Sequence, residues 1–293
     1  MFSYRHVFHA GNHADVLKHM ILLECIELLQ QKAGGLMFLD SHAGAGLYDL
    51  STGYATVSDE SVEGIFKLLK HEVSSLPPTI KNYLDRIHSW NNDPKQISVY
   101  PGSPSLLLES LRPQDKLRLF ELHPTDFPIL NDEIKSLNTA KLDIQVLMQD
   151  GFSGLKAFLP PPSRRGLILM DPSYEDKSDY FKVLTALEEG LKRFATGVYI
   201  IWYPCLSRND ALELPNKLIK LCSRSEKTPP LSWLRAELRV KDINDDSGLT
   251  ASGMFIINPP WKLKEALNES LPLLSDILAQ QGHGNHLLES SED

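Results

Sequence analysis

Apolar residues fall into two rhythms along this chain. Short, nearly continuous apolar runs occur at LMFLD (36–40), LRLFEL (117–122), IQVLMQ (144–149), GLILM (166–170) and GVYIIWY (197–203). Such runs predict strands buried on both faces. Between them lie stretches of helical period, DYFKVLTALEEGLKRF (179–194) and NDALELPNKLIKLC (209–222). An earlier helix runs through ADVLKHMILLECIELLQQK, with Asn12 placed to cap it and Gly34-Gly35 to stop it. Strands alternating with helices predict a parallel sheet wrapped by helices. Two further strands, WLRAELRV (233–240) and GMFIIN (253–258), are joined by a polar loop too short for a crossover helix, so they should pair antiparallel. The count is six strands running one way and a seventh reversed.

The rhythm breaks between residues 51 and 92, where SVEGIFKLLKHEV and PTIKNYLDRIHSW read as two helices around Ser-Ser-Leu-Pro-Pro. We expect a discontinuous α/β domain over residues 1–50 and 93–280, a helical insertion over 51–92, and a frayed polar tail over 281–293.

Composition narrows the function. At 293 residues and 42% hydrophobic the chain can bury a full core, and no apolar run approaches the ~20 residues of a membrane span. The polar, His-rich N-terminus does not read as a signal peptide, so a soluble cytoplasmic protein is expected. Three scattered cysteines, Cys25, Cys205 and Cys222, exclude a disulfide framework. A net charge of −8 argues against non-specific coating of nucleic acid but permits a local basic rim.

Four strand ends carry candidate chemistry. DSHAGAG (40–46) places glycines at a strand-to-helix turn, where backbone can approach a nucleotide closely, and His42 sits inside that loop. Glu121 ends the next strand, where a carboxylate can accept hydrogen bonds from ribose hydroxyls; the helical stretch stretches its spacing from the loop well beyond the usual ~20 residues. Asp150-Gly151 follows IQVLMQ: the acid can take an adenine amine, cap the next helix, or do both, and Gly151 leaves room for the ring. Asp171-Pro172-Ser173-Tyr174 follows GLILM. Its carboxylate and the Pro172 carbonyl can both accept from one exocyclic amine, while the Tyr174 ring offers a surface for a flipped base. A rival motif, Asn258-Pro259-Pro260-Trp261, ends the reversed strand and so lies at the opposite edge; we assign it a structural role. His6, His9, His13 and His19 are closely spaced, but no carboxylate or thiolate nearby completes a metal set, so no metal is expected.

In order, DSHAGAG, the acid in LFELHP, QDGF and DPSY resemble the motifs of class I S-adenosylmethionine-dependent methyltransferases, Rossmann-like enzymes with a seven-stranded, mostly parallel sheet whose last strand is antiparallel. SYRHVFHAGNHADVLKH, YPGSP, RRGLILMDP, KRFATG, WYP and TASGMFIINPPW look closer still to the bacterial 23S ribosomal RNA adenine-N6 methyltransferase J family, historically also described as a protein for utilisation of external DNA. That similarity runs from about Met1 to Leu273. It implies S-adenosylmethionine as methyl donor, with Lys18, His19, His42, Ser103, Glu121, Asp150, Gly151 and Asp171 in contact with it. Asp171 would also be the catalytic acceptor, and Tyr4, Pro172 and Tyr174 would meet the substrate. The implied partner is 23S rRNA, protein-free or early in assembly, with no membrane and no obligate protein partner. The family has a second proline where this chain has Ser173, which puts turn rigidity in question but retains both acceptors. A DNA adenine-N6 methyltransferase, a non-enzymatic nucleic-acid-handling protein and a protein glutamine N-methyltransferase remain as alternatives. Asp171 argues against the last, which usually carries Asn at that position.

Overall fold

The computed structural model describes residues 6–51, 60–93, 97–137, 141–223, 230–242 and 248–292. After a turn of 3-10 helix at His6–Phe8, helix α1 (His13–Gln30) leads into β1 (Met37–Asp40). A short strand β2 (Leu47–Asp49) pairs antiparallel with β3 (Val99–Pro101), and the chain between them holds α2 (Ile65–Leu68) and α3 (Pro78–Ser89). Then follow α4 (Ser103–Glu109), β4 (Lys116–Phe120), α5 (Asp126–Ser136), β5 (Asp143–Leu147), α6 (Gly151–Phe158), β6 (Gly166–Met170), α7 (Asp179–Arg193), β7 (Val198–Pro204) and α8 (Asn209–Ser223). The chain closes with β8 (Trp233–Arg239), β9 (Ala251–Ile257), α9 (Leu263–Leu278) and β10 (Asn285–Ser290).

The main sheet has the order β10-β8-β9-β7-β6-β1-β4-β5. β1 pairs parallel with both β4 and β6, so strand order reverses there and opens a crevice beyond the carboxyl ends of these strands. β9 is antiparallel to both β7 and β8, as the short connection requires. Six parallel strands with one reversed strand between the last two is the class I methyltransferase sheet, and β10 adds an eighth.

Strand burial follows from this order. β1 and β6 are buried at every position, which explains their unbroken apolar runs. Their side chains feed two cores: Phe38, Leu167 and Leu169 face α1, α3 and α9, whereas Met37, Leu39, Ile168 and Met170 face α7 and α8. Asn12 caps α1, its Oδ1 accepting from Ala14 N at 2.9 Å and Asp15 N at 3.0 Å.

Three expectations change. The first helix of the 51–92 segment shrinks to Ile65–Leu68, because Ile65 N donates to the Gly11 carbonyl at 2.8 Å and ties this stretch to the N-terminal loop. Ile80, Tyr83, Leu84 and Ile87 of α3 are fully buried in the core shared with α1 and α9, so the described part of the insertion packs as part of one helical layer. Finally, the tail does not fray through its length: Asn285–Ser290 pairs antiparallel with β8, Arg235 Nη1 reaches Glu289 Oε2 at 3.2 Å, and Lys264 Nζ reaches Ser290 Oγ at 2.9 Å. Its two leucines are too few to signal a strand in the sequence; cross-strand pairing supplies the rest.

β10 covers the β8 edge and packs Leu288 on the core. Ending the chain at Gly284 should therefore lower stability by ~2 kcal/mol, on the order of 5 °C in Tm, and favour association through the bared strand. Unchanged thermal unfolding would show that β10 contributes nothing.

Candidate active site at the carboxyl edge of the sheet

A cavity of about 1160 Å³ opens at the crevice. It exceeds the ~300–1,000 Å³ common for a single small ligand, leaving room for a nucleoside cofactor together with a base. Its lining includes Lys18, His19, His42, Ser103, Glu121, Asp150, Gly151, Asp171, Pro172 and Tyr174, so the structure gathers all these residues in one place. Tyr4 lies outside the described residues.

One wall is the glycine loop after β1. Gly44 (φ +67°) and Gly46 (φ +90°) hold left-handed backbone, which costs other residues about 1 kcal/mol or more. Gly44 N donates to Glu121 Oε2 at 2.7 Å, and His123 N donates to Glu121 Oε1 at 2.6 Å, so the acid at the end of β4 is locked in place with lone pairs still available. Burial raises the Glu121 carboxyl, opposed by those two amides. Behind the loop, Asp40 is fully buried and accepts from Ser103 Oγ at 2.7 Å; burial pushes it up to about 7. Ser103 thus acts on the end of β1 as well as lining the cavity. Asp150 does cap α6, accepting from Phe152 N at 3.1 Å. Gly151 is required by close approach, since a Cβ there would overlap the Ser41 carbonyl.

His42 stands edge-on to Phe152 with ring centroids 4.6 Å apart, and its Nδ1 lies 2.7 Å from Ser41 Oγ. Burial lowers it to about 4, so the ring is neutral near pH 7. His19 is fully buried, with Nδ1 2.8 Å from the Tyr100 hydroxyl and Nε2 unpartnered among the described residues. Burial lowers it to about 3. A neutral ring with an unsatisfied nitrogen in a cavity wall is a polar contact suited to a ligand.

The opposite wall is the turn after β6. Lys18 Nζ donates to Asp171 Oδ2 at 2.6 Å and sits 2.8 Å from Asp15 Oδ1. Burial works against the Lys18 charge, but Asp15 and Asp171 outweigh it and raise the ammonium well above its ordinary range. Asp15 is also fully buried, and burial would raise it; His6 and Lys18 prevail and hold it well below the usual carboxylate range. Asp15 Oδ2 accepts from Gly11 N and contacts His6 Nε2, each at 2.9 Å. His9 Nδ1 meets Glu60 Oε2 at 3.0 Å, and Asn12 Nδ2 donates to the same oxygen at 2.9 Å.

These acids correct the sequence reading in which no carboxylate stood near the N-terminal histidines. Asp15 stands in the first turn of α1 at i,i+3 from Lys18, and Glu60 arrives from a distant segment. Among the described residues, no cluster of three or more metal-ligating side chains forms.

Tyr174 also departs from expectation. It is only 2% exposed, with φ +55°. Its hydroxyl donates to the Trp202 carbonyl at 2.8 Å, its ring packs 4.6 Å from Tyr180, and Arg208 Nη2 donates to its carbonyl at 3.0 Å. The residue fastens the turn and leaves little ring surface for a base. Trp202, which lines the cavity at intermediate exposure, was not singled out from the sequence. Asn258, by contrast, is structural as expected. Its Nδ2 donates to the Ala195 and Gly197 carbonyls at 2.8 and 2.7 Å, before β7 and at the sheet's opposite edge.

Known proteins share this chain nearly end to end. The family model described as ribosomal RNA large subunit methyltransferase D, RlmJ, matches residues 33–289. Ribosomal RNA large subunit methyltransferase J of Escherichia coli is 44% identical over 285 residues, covering 97% of each chain. Its Haemophilus influenzae counterpart is 43% identical, covering 99% of this chain and 98% of its own. A crystal structure of a Legionella pneumophila protein aligns with a TM-score of 0.85 at 34% identity, covering 96% of this chain and 98% of the other. The chain belongs to the RlmJ family of ribosomal RNA large subunit methyltransferases.

Proposed function

We propose that this enzyme methylates N6 of an adenine in 23S rRNA, acting in the cytoplasm on protein-free or early-assembly RNA. The observation that carries the reading is the Asp171 carboxylate at the end of β6: Oδ2 is held by Lys18, and Oδ1 remains for the substrate. An exocyclic amine between Oδ1 and the Pro172 carbonyl would donate to both. Those bonds would turn the nitrogen lone pair toward the methyl group and hold electron density on it.

The donor contributes an electrophilic methyl carried on a sulfonium, so little acid–base work falls to the protein. The residues around the cavity fit such a nucleoside. Glu121 would accept from the ribose hydroxyls, and Asp150 would accept the adenine amine with Gly151 giving the ring its space. His19, His42 and Ser103 would line the remaining contacts, and Lys18 would meet the methionine carboxylate as well as Asp171. Ser173 leaves both acceptors of the turn unchanged, and bonds from Tyr174 to Trp202 and Arg208 give stiffness that a second proline would otherwise add.

Three results test this. Tritiated methyl transfer to unmodified 23S rRNA, with nucleoside analysis, should yield N6-methyladenosine, and duplex DNA should be a poor acceptor. Label entering DNA in preference to RNA would replace the substrate assignment. Asp171→Ala should cut transfer by about 100–1,000-fold while leaving a folded protein, and full activity would sink the catalytic role. Gly151→Ala should weaken S-adenosylmethionine binding at least about tenfold by calorimetry, through displacement of the Ser41 backbone. An unaltered Kd would remove Gly151 from the cofactor site.

A further inference from the structure

The glycine loop is braced from behind by a hydrogen-bond chain with one proton to account for. Ser105 Oγ on α4 lies 3.0 Å from the Gly46 carbonyl oxygen and 3.0 Å from Glu133 Oε1 on α5. A serine hydroxyl has a single hydrogen, and a carbonyl can only accept. If that hydrogen goes to Gly46, the contact with Glu133 is a hydrogen bond only when the carboxyl itself carries a proton. The opposite arrangement sets two lone pairs against each other at Gly46. It also leaves an ionised Glu133 with only the Leu47 amide and the Ser105 hydroxyl to support it, its Oε2 buried without a hydrogen-bond partner among the described residues, and such burial costs a charged oxygen more than it costs that of a neutral acid.

Glu133 Oε2 lies against the Gly46 α-carbon, where a Cβ would collide with it, so carboxyl and loop fit only in this register. The Gly46 carbonyl also accepts from Gly102 N at 2.7 Å, which ties α4 to the same atom. Among the described residues, no cation contributes to the environment of the Glu133 carboxyl. α4 offers Ser105; the loop and β2 offer Gly46, Leu47 and Tyr48, whose phenol burial keeps neutral, with Asp49 exposed beyond it. α5 itself carries Asp126, buried, and Asp132 and Lys135, both exposed to solvent.

We propose that Glu133 is a positioning residue held as a neutral carboxylic acid: Oε1–H donates to Ser105 Oγ, and Ser105 Oγ–H donates to the Gly46 carbonyl, fixing the glycine loop in its cofactor-binding shape. This rests on the loop holding S-adenosylmethionine. Burial pushes the Glu133 carboxyl up to about 7, against the Ser105 hydroxyl and the Leu47 amide. An acid with a raised folded-state pKa favours its neutral form in the fold. The bracing is therefore complete at mildly acid pH and fades as pH climbs through about 7.

The test is calorimetric binding of S-adenosylhomocysteine, a non-reactive probe, from about pH 6 to about pH 9. Glu133→Gln keeps a donor to Ser105 but cannot ionise, so it should retain the wild-type affinity measured at low pH. Asp40 also titrates near 7, so the readout is the difference between the two pH profiles. Wild-type affinity should fall about tenfold more than that of the Gln variant across the range, and Glu133→Ala should bind weakly throughout. Thermal unfolding confirms that each variant is folded, and the infrared band of a protonated carboxyl should diminish in the Gln variant. Parallel profiles for wild type and Gln, or a Gln variant as weak as Ala, would overturn the assignment. No binding by the wild type at any pH would instead overturn the cofactor reading of the loop, whereas tight, pH-independent binding would overturn Glu133 alone.

Discussion

The organisation of the candidate active site depends on one buried ammonium. Lys18, only 4% exposed, is enclosed between Asp15 and Asp171 and joins the first helix to the turn after β6. Burying a lysine is tolerable only when it is paired, and removing one partner of such a set generally costs about 3–5 kcal/mol. The arrangement therefore commits α1 to a fixed register against the sheet. It also fixes Asp171, whose Oδ2 is occupied by Lys18 while the residue lines the cavity.

The remaining structure supports that geometry. Asn12 starts α1 at His13 and so sets which side chains of its first turns face the crevice. Asp15 receives Lys18 from one side and Gly11 and His6 from the other, which draws the N-terminal loop over the site. The parallel strands β1, β4 and β6 deliver Asp40, Glu121 and Asp171 to a single edge, since each acid follows or ends a strand of the same direction. Positive φ at Gly44 and Gly46 then lets backbone, rather than side chain, form the floor.

Much of this was legible in the chain. Unbroken apolar runs located the central strands, and the short link between WLRAELRV and GMFIIN fixed the reversed strand. DSHAGAG, Glu121, Asp150-Gly151 and Asp171 could be placed on one edge because parallel strands share an edge. The illegible parts depend on contacts between distant segments. Glu60 reaches His9, Glu133 reaches Ser105, and β10 finds β8 across intervals that no local pattern records. Tyr174 was misjudged for a different reason: aromatic identity does not say whether a ring will be packed away, and the positive φ of that turn buries it.

On the proposed function, the Lys18 charge orients Asp171 for transfer. The most direct test is the single-turnover methylation rate of Lys18→Met at saturating S-adenosylmethionine, in protein that still unfolds cooperatively. The rate should fall about 100-fold, because a thioether neither donates to Asp171 Oδ2 nor balances the two carboxylates. A rate equal to that of the unaltered enzyme would contradict it.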